Sequence, residues 1–142
     1  MKLISFNLAA KILMIFFGLF IVFHFVIIAG ILFFDFAPVD FLWGGRMETK
    51  EQLLVFEFIS LLVMIVCYLV VLVRSKRVFA PKLLGVSRIF LWILFVLFFF
   101  NTLGNLFAQT NFEKFLAILT AVSAVLCLRL AMEKIDKNPA LK

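Results

Sequence analysis

The sequence predicts an all-α membrane protein, a four-helix transmembrane bundle threaded up-down-up-down with both termini cytoplasmic. Three observations carry this prediction. Of 142 residues, 66% are hydrophobic, 21 are Phe and only 15% are charged, with a mean hydropathy of +1.23; in a soluble domain roughly half the residues are apolar. Four apolar runs reach the about 20 residues that a hydrocarbon core of roughly 30 Å requires: residues 12–34, 53–73, 89–108 and 112–132. Basic residues alternate from side to side in step with those runs.

The first span follows Lys2 and Lys11. It exceeds the roughly 7–15 residues of a signal-peptide apolar region and ends in no Ala-x-Ala-like site, so it reads as a retained helix. The second opens on Thr49 with Gln52 three residues on, a capping box. Residues 74–88 join it to the third, and Pro81 and Gly85 are expected to break the helix there. The fourth opens on a second box, Thr110 with Glu113, so spans three and four form a tight hairpin turning at 109–111. The tail "KNPALK" reads as a frayed end. Residues 1–142 thus form a single integral membrane domain, with no room for a soluble one. The two hairpins share no motif, so an inverted repeat within one chain is not supported. A homo-oligomer could still supply symmetry.

The N-terminus, the middle loop (Arg74, Lys76, Arg77, Lys82, Arg88) and the tail (Arg129, Lys134, Lys137, Lys142) hold 11 of the 14 basic residues. By the positive-inside rule these segments are cytoplasmic, and the 35–50 loop and the turn at Asn111 face outwards. The net charge of +6 therefore belongs to helix flanks that meet lipid headgroups, and nucleic acid is not an expected partner. Cys67 and Cys127 lie towards the cytoplasmic ends of their spans, without a CxxC pattern. They read as small apolar packers in a reducing compartment.

The first outer loop, "DFAPVDFLWGGRMETKE", mixes Phe36, Phe41 and Trp43 with Asp35, Asp40 and Arg46. Its aromatics suit the headgroup level, and Gly44-Gly45 allows a sharp turn that would fold the loop over the mouth of the bundle.

Polar residues inside the spans are the candidate functional groups. Asn101, Asn105 and Gln109 recur every fourth residue, so they form one stripe beside Gly104 and Ala108. Gly104-xxx-Ala108 would let a neighbouring backbone approach, and Asn amides hydrogen-bond across such seams. At 1.5 Å per residue, Asn101 lies about 12 Å below Gln109, Glu57 about 12 Å below Thr49 and His24 about 16 Å below Asp35. The three share one layer. Since a lipid-facing acid costs at least ~2.5 kcal/mol, Glu57 is expected to point inwards. Ser60, Met64 and Cys67 extend its face; Thr120, Ser123 and Cys127 do the same on the fourth span beside Ala117, Ala121 and Ala124, and the first span contributes Gly18, His24 and, 11 residues on and so nearly in line, Asp35.

The expected site is a polar pocket open to the outside and lined by His24, Arg46, Glu57, Asn101 and Asn105. His24 can exchange a proton near neutral pH, Glu57 can partner it or hold a cation, and Arg46 can neutralise Glu57 or grip an anion. One His and one buried acid fall short of a zinc site, so neither metal nor other cofactor is expected. There is no Ser-His-Asp pattern, phosphate loop or HExxH, and no catalytic residue is assigned.

"WGGR" (43–46), "FE" (56–57), "NTLGN" (101–105), "NFEK" (111–114) and "LCLRLA" (126–131) together resemble a family of small four-span bacterial integral membrane proteins to which no activity is attached. The resemblance spans nearly the whole chain and implies a bacterial cytoplasmic membrane. Three functional readings remain open from the sequence. The first is a ligand- or proton-binding module for transport or sensing. The second is a structural or partner subunit of a membrane complex, immunity-type factors included. The third is a membrane-embedded enzyme using His24 and Glu57 on a lipid-like substrate.

Overall fold

The computed structural model describes residues 4–108 and 110–134; Lys2, Gln109, Lys137, Lys142 and the "KNPALK" tail lie outside them. Four long helices follow in order: α1 (Phe6–Phe34), α2 (Lys50–Arg74), α3 (Leu84–Leu106) and α4 (Asn111–Met132). Each is long and apolar enough to cross a membrane. Helices satisfy their own backbone groups, which is what an interior without water demands of a spanning chain. The chain is a small multi-pass membrane protein, and among the described residues no strand occurs.

Local signals set the helix ends. Ser5 caps α1, its hydroxyl accepting from the Leu8 N–H at 3.2 Å; this places the start six residues before the apolar run. At the other end Asp35 turns left-handed (φ 50°), and the Phe36 N–H closes on the Gly30 carbonyl at 3.1 Å. Both threonines cap their helices: Thr49 Oγ1 accepts from the Gln52 N–H, and Thr110 Oγ1 from the Glu113 N–H, each at 3.2 Å. The Gln52 side chain reaches back to the Glu48 N–H at 3.0 Å, one residue before the cap. The expected break at Pro81 and Gly85 is corrected in part. Pro81 opens a single 3-10 turn (Pro81–Leu83) that feeds into α3, and Gly85 is helical. Proline is at ease in a first turn because its missing N–H had no partner there.

The start of α1, the end of α2, the start of α3 and the end of α4 meet at one end, termed the terminal end. Arg129 Nε donates to the Ile4 carbonyl (3.0 Å), Arg74 Nε to Leu130 O (3.2 Å) and Arg88 Nε to Ala131 O (2.8 Å). These bonds give the up-down-up-down order. They also supply donors to the last carbonyls of α4, which have no partner within the helix. At the opposite, hairpin end, Lys50 and Asp35 pair at 2.7 Å.

The core has two parts. Leu13, Phe17, Val71, Leu91, Phe98 and Leu130 build the larger one in the terminal half, together with the buried free thiols of Cys67 and Cys127. Phe17 and Phe98 stack across it at 5.6 Å. Ile27, Ile31, Leu42 and Leu53 form a smaller one at the hairpin end. Of the four helices α4 is the most buried, since its Ala117 and Ala124 let neighbours close in.

Candidate ligand site

A cavity of about 370 Å³ opens where the two cores part, with walls from all four helices and from the loop after α1. Glu57 lies at its centre, 1% exposed. Its Oε2 is 2.6 Å from His24 Nδ1, and its Oε1 accepts from the indole N–H of Trp43 at 2.9 Å. An acid on the buried face of α2 therefore has a donor on each oxygen. At 2.6 Å one proton is shared between Oε2 and Nδ1.

The loop reaches this site through an unusual backbone. Trp43, Gly44 and Gly45 all have positive φ (56°, 70° and 66°), and for Trp43 such a conformation costs about 1–3 kcal/mol. The bond to Glu57, burial of Leu42 in the hairpin-end core and an edge contact between Trp43 and Phe56 at 5.3 Å offset it. Gly45 has no alternative residue: a Cβ there would sit 3.0 Å from the Asp40 carbonyl oxygen. Gly45→Ala is expected to destabilise the protein by about 1–3 kcal/mol and to loosen the Trp43–Glu57 bond. Thermal unfolding in detergent, with Trp43 emission followed in parallel, measures both.

Asn101 and Asn105 both face the cavity. The expected seam does not form: a Cβ added at Gly104 would meet nothing within 4 Å, and among the described residues neither Asn side chain makes a hydrogen bond. The polar tie between α3 and α4 is made by Thr102, whose hydroxyl donates to Thr120 Oγ1 at 3.0 Å while Thr120 donates to Leu116 O at 3.1 Å. Gly104 and Ala108 instead line a second, outer cavity of about 430 Å³ that shares Trp43, Asn101, Asn105 and Glu113 with the first. The two spaces run into each other.

Arg46 lines the outer cavity and does not reach Glu57, whose donors are His24 and Trp43. Its counterpart is Glu113: a Cβ on Gly44 would lie 3.7 Å from Arg46 Nε and 3.8 Å from Glu113 Oε2. Asp35 lies outside the site, exposed, with Lys50 holding its carboxyl below the usual range through a hydrogen bond and its charge. Ser60, Met64 and Thr120 line the inner cavity, whereas Gly18 and Ser123 do not.

Two site residues escape a reading of the sequence. Glu113 is buried in the wall of both cavities, accepting from the Thr110 hydroxyl at 2.9 Å; its capping role masks the second one. A signal was present, since Glu113, Ala117 and Thr120 share one helix face. Trp43 passes for an interfacial anchor, and nothing local reveals that its ring turns inwards.

Comparison with protein-family models, with curated proteins and with solved structures finds no match for this chain.

Proposed function

We propose that this chain is a ligand- or proton-binding module of a bacterial cytoplasmic membrane, serving transport or sensing, with both termini inside and the paired cavities open to the outside. One observation carries the reading: a fully buried carboxylate with each oxygen satisfied by a protein donor shares a cavity with two amides that make no side-chain hydrogen bond among the described residues. Amides placed only to join helices would be bonded across a helix contact, and that task falls to Thr102 and Thr120. The excess of Lys and Arg at the terminal end supports the orientation. The resemblance to small four-span bacterial proteins supports the membrane. The bilayer is the first partner; a second copy or another membrane protein is compatible with the same surface.

Asn101→Cys tests both the cavity and its direction. Cys67 and Cys127 are buried, so a membrane-impermeant methanethiosulfonate added to intact cells is expected to modify the new thiol, and to fail from the cytoplasmic side. Labelling only in inverted vesicles reverses the proposed orientation, and no labelling from either side means that the amide position is a sealed helix contact. Asn101→Ala and Arg46→Ala are further expected to abolish the cellular function while the protein accumulates normally, with stability within about 0.5 kcal/mol of the parent. Immunoblotting of membranes beside a complementation assay checks this; loss of the protein itself favours a structural role.

A further inference from the structure

The chemistry of the paired cavities changes along their length. The hairpin end carries a cation and an acid, Arg46 and Glu113, with the amide of Asn105 between α3 and α4. About 12 Å further in along α3, eight residues at 1.5 Å each, the walls are Phe20, Val63, Met64 and Leu97. Val63 on α2 and Leu97 on α3 line the cavity and are 39% and 38% exposed. Exposed lining on both helices points to a sideways opening between α2 and α3, towards where acyl chains lie. A polar end at headgroup depth, an apolar end towards the midplane and a lateral opening match one leaflet's lipid in its resting orientation.

Resting on the pocket reading above, we propose that the ligand is a membrane amphiphile drawn from the leaflet at the hairpin end. Its apolar chain passes between α2 and α3. Its head carries an anionic group for Arg46 and an amine for Glu113, as a phosphoethanolamine head does. The amides of Asn101 and Asn105, which line both cavities, complete the head site. Both cavities fall within the roughly 300–1,000 Å³ typical of small-molecule sites.

The test uses the full chain with Trp92→Phe, so that Trp43, in the wall of both cavities, is the sole indole. The protein is placed in phosphatidylglycerol nanodiscs and titrated with lysophosphatidylethanolamine, with lysophosphatidylglycerol and with free phosphoethanolamine. A saturable change in Trp43 emission is expected with the first. It should weaken at least tenfold in Arg46→Ala and Glu113→Gln, which keep the fold because Arg46 is exposed and Gln can still accept from the Thr110 hydroxyl, and in Val63→Phe, which narrows the side opening without adding an indole. Equal binding of free phosphoethanolamine overturns the amphiphile and leaves a pocket for a soluble ligand. Equal binding of lysophosphatidylglycerol overturns the role of Glu113 in reading an amine. No saturable response overturns the proposal outright, while the Asn101→Cys labelling judges the pocket independently.

Discussion

Glu57→Ala is expected to destabilise the protein by about 3–5 kcal/mol, the cost of breaking a buried pair from one side. The carboxylate is 1% exposed and satisfies the ring nitrogen of His24 and the indole N–H of Trp43 at once. Removing it leaves two donors without their protein acceptor, each worth about 1–3 kcal/mol. Glu57→Gln keeps the volume and one acceptor and should cost about half as much. The sharper measurement is the double variant. Replacing His24 by Phe together with Glu57 by Leu removes the stranded imidazole as well, so this pair should be more stable than Glu57→Ala alone. Thermal or SDS unfolding in detergent compares them. A double variant no better than the sum of its parts would show that His24 and Glu57 are not energetically coupled.

Arg74→Leu carries the second large effect, an expected loss of about 2–4 kcal/mol. This guanidinium, 4% exposed, donates to the carbonyls of Leu130 and Glu133 and lies over the Phe6 ring with 5.7 Å to its centroid. One side chain thereby ties α1, α2 and the C-terminus of α4, where a cation also meets the negative end of the helix dipole. Lys offers a point charge in place of a planar fork, so Arg74→Lys should recover less than half of the loss. Lys76→Ala and Arg77→Ala, on exposed neighbours, should change stability by less than about 0.5 kcal/mol. Unfolding midpoints and membrane abundance of the four variants separate the cases. Equal effects at positions 74 and 76 would reduce Arg74 to a flanking charge.

The two predictions differ in how far they could be read from the sequence. That Glu57 and His24 turn inwards follows from the cost of an ionisable group in lipid, and their shared depth follows from the rise of a helix. The clamp at the terminal end does not follow: Arg74 and Arg88 look like any other basic flank until the last carbonyls of α4 are found beside them. Asn101 and Asn105 show the opposite error. Their spacing and the adjacent Gly104 suggest a helix seam, yet a Cβ on Gly104 would meet nothing within 4 Å and the amides line the cavities. Whether a small residue permits a contact is local; whether a neighbour takes it up depends on all four helices together.

By itself the sequence determined the fold class, the number of spans, both threonine caps and the layer of polar groups, because these depend on hydropathy, chain length and helical periodicity, all properties of neighbouring residues. Only the tertiary structure decided that Trp43 rather than Arg46 holds Glu57, that Glu113 belongs to the site as well as to a helix cap, and that Asn101 and Asn105 line a cavity with residues of the other three helices. Each of these turns on which side chains meet across 14 or more residues of chain, and in a bundle whose surface is apolar on every side, packing rather than pattern makes that choice.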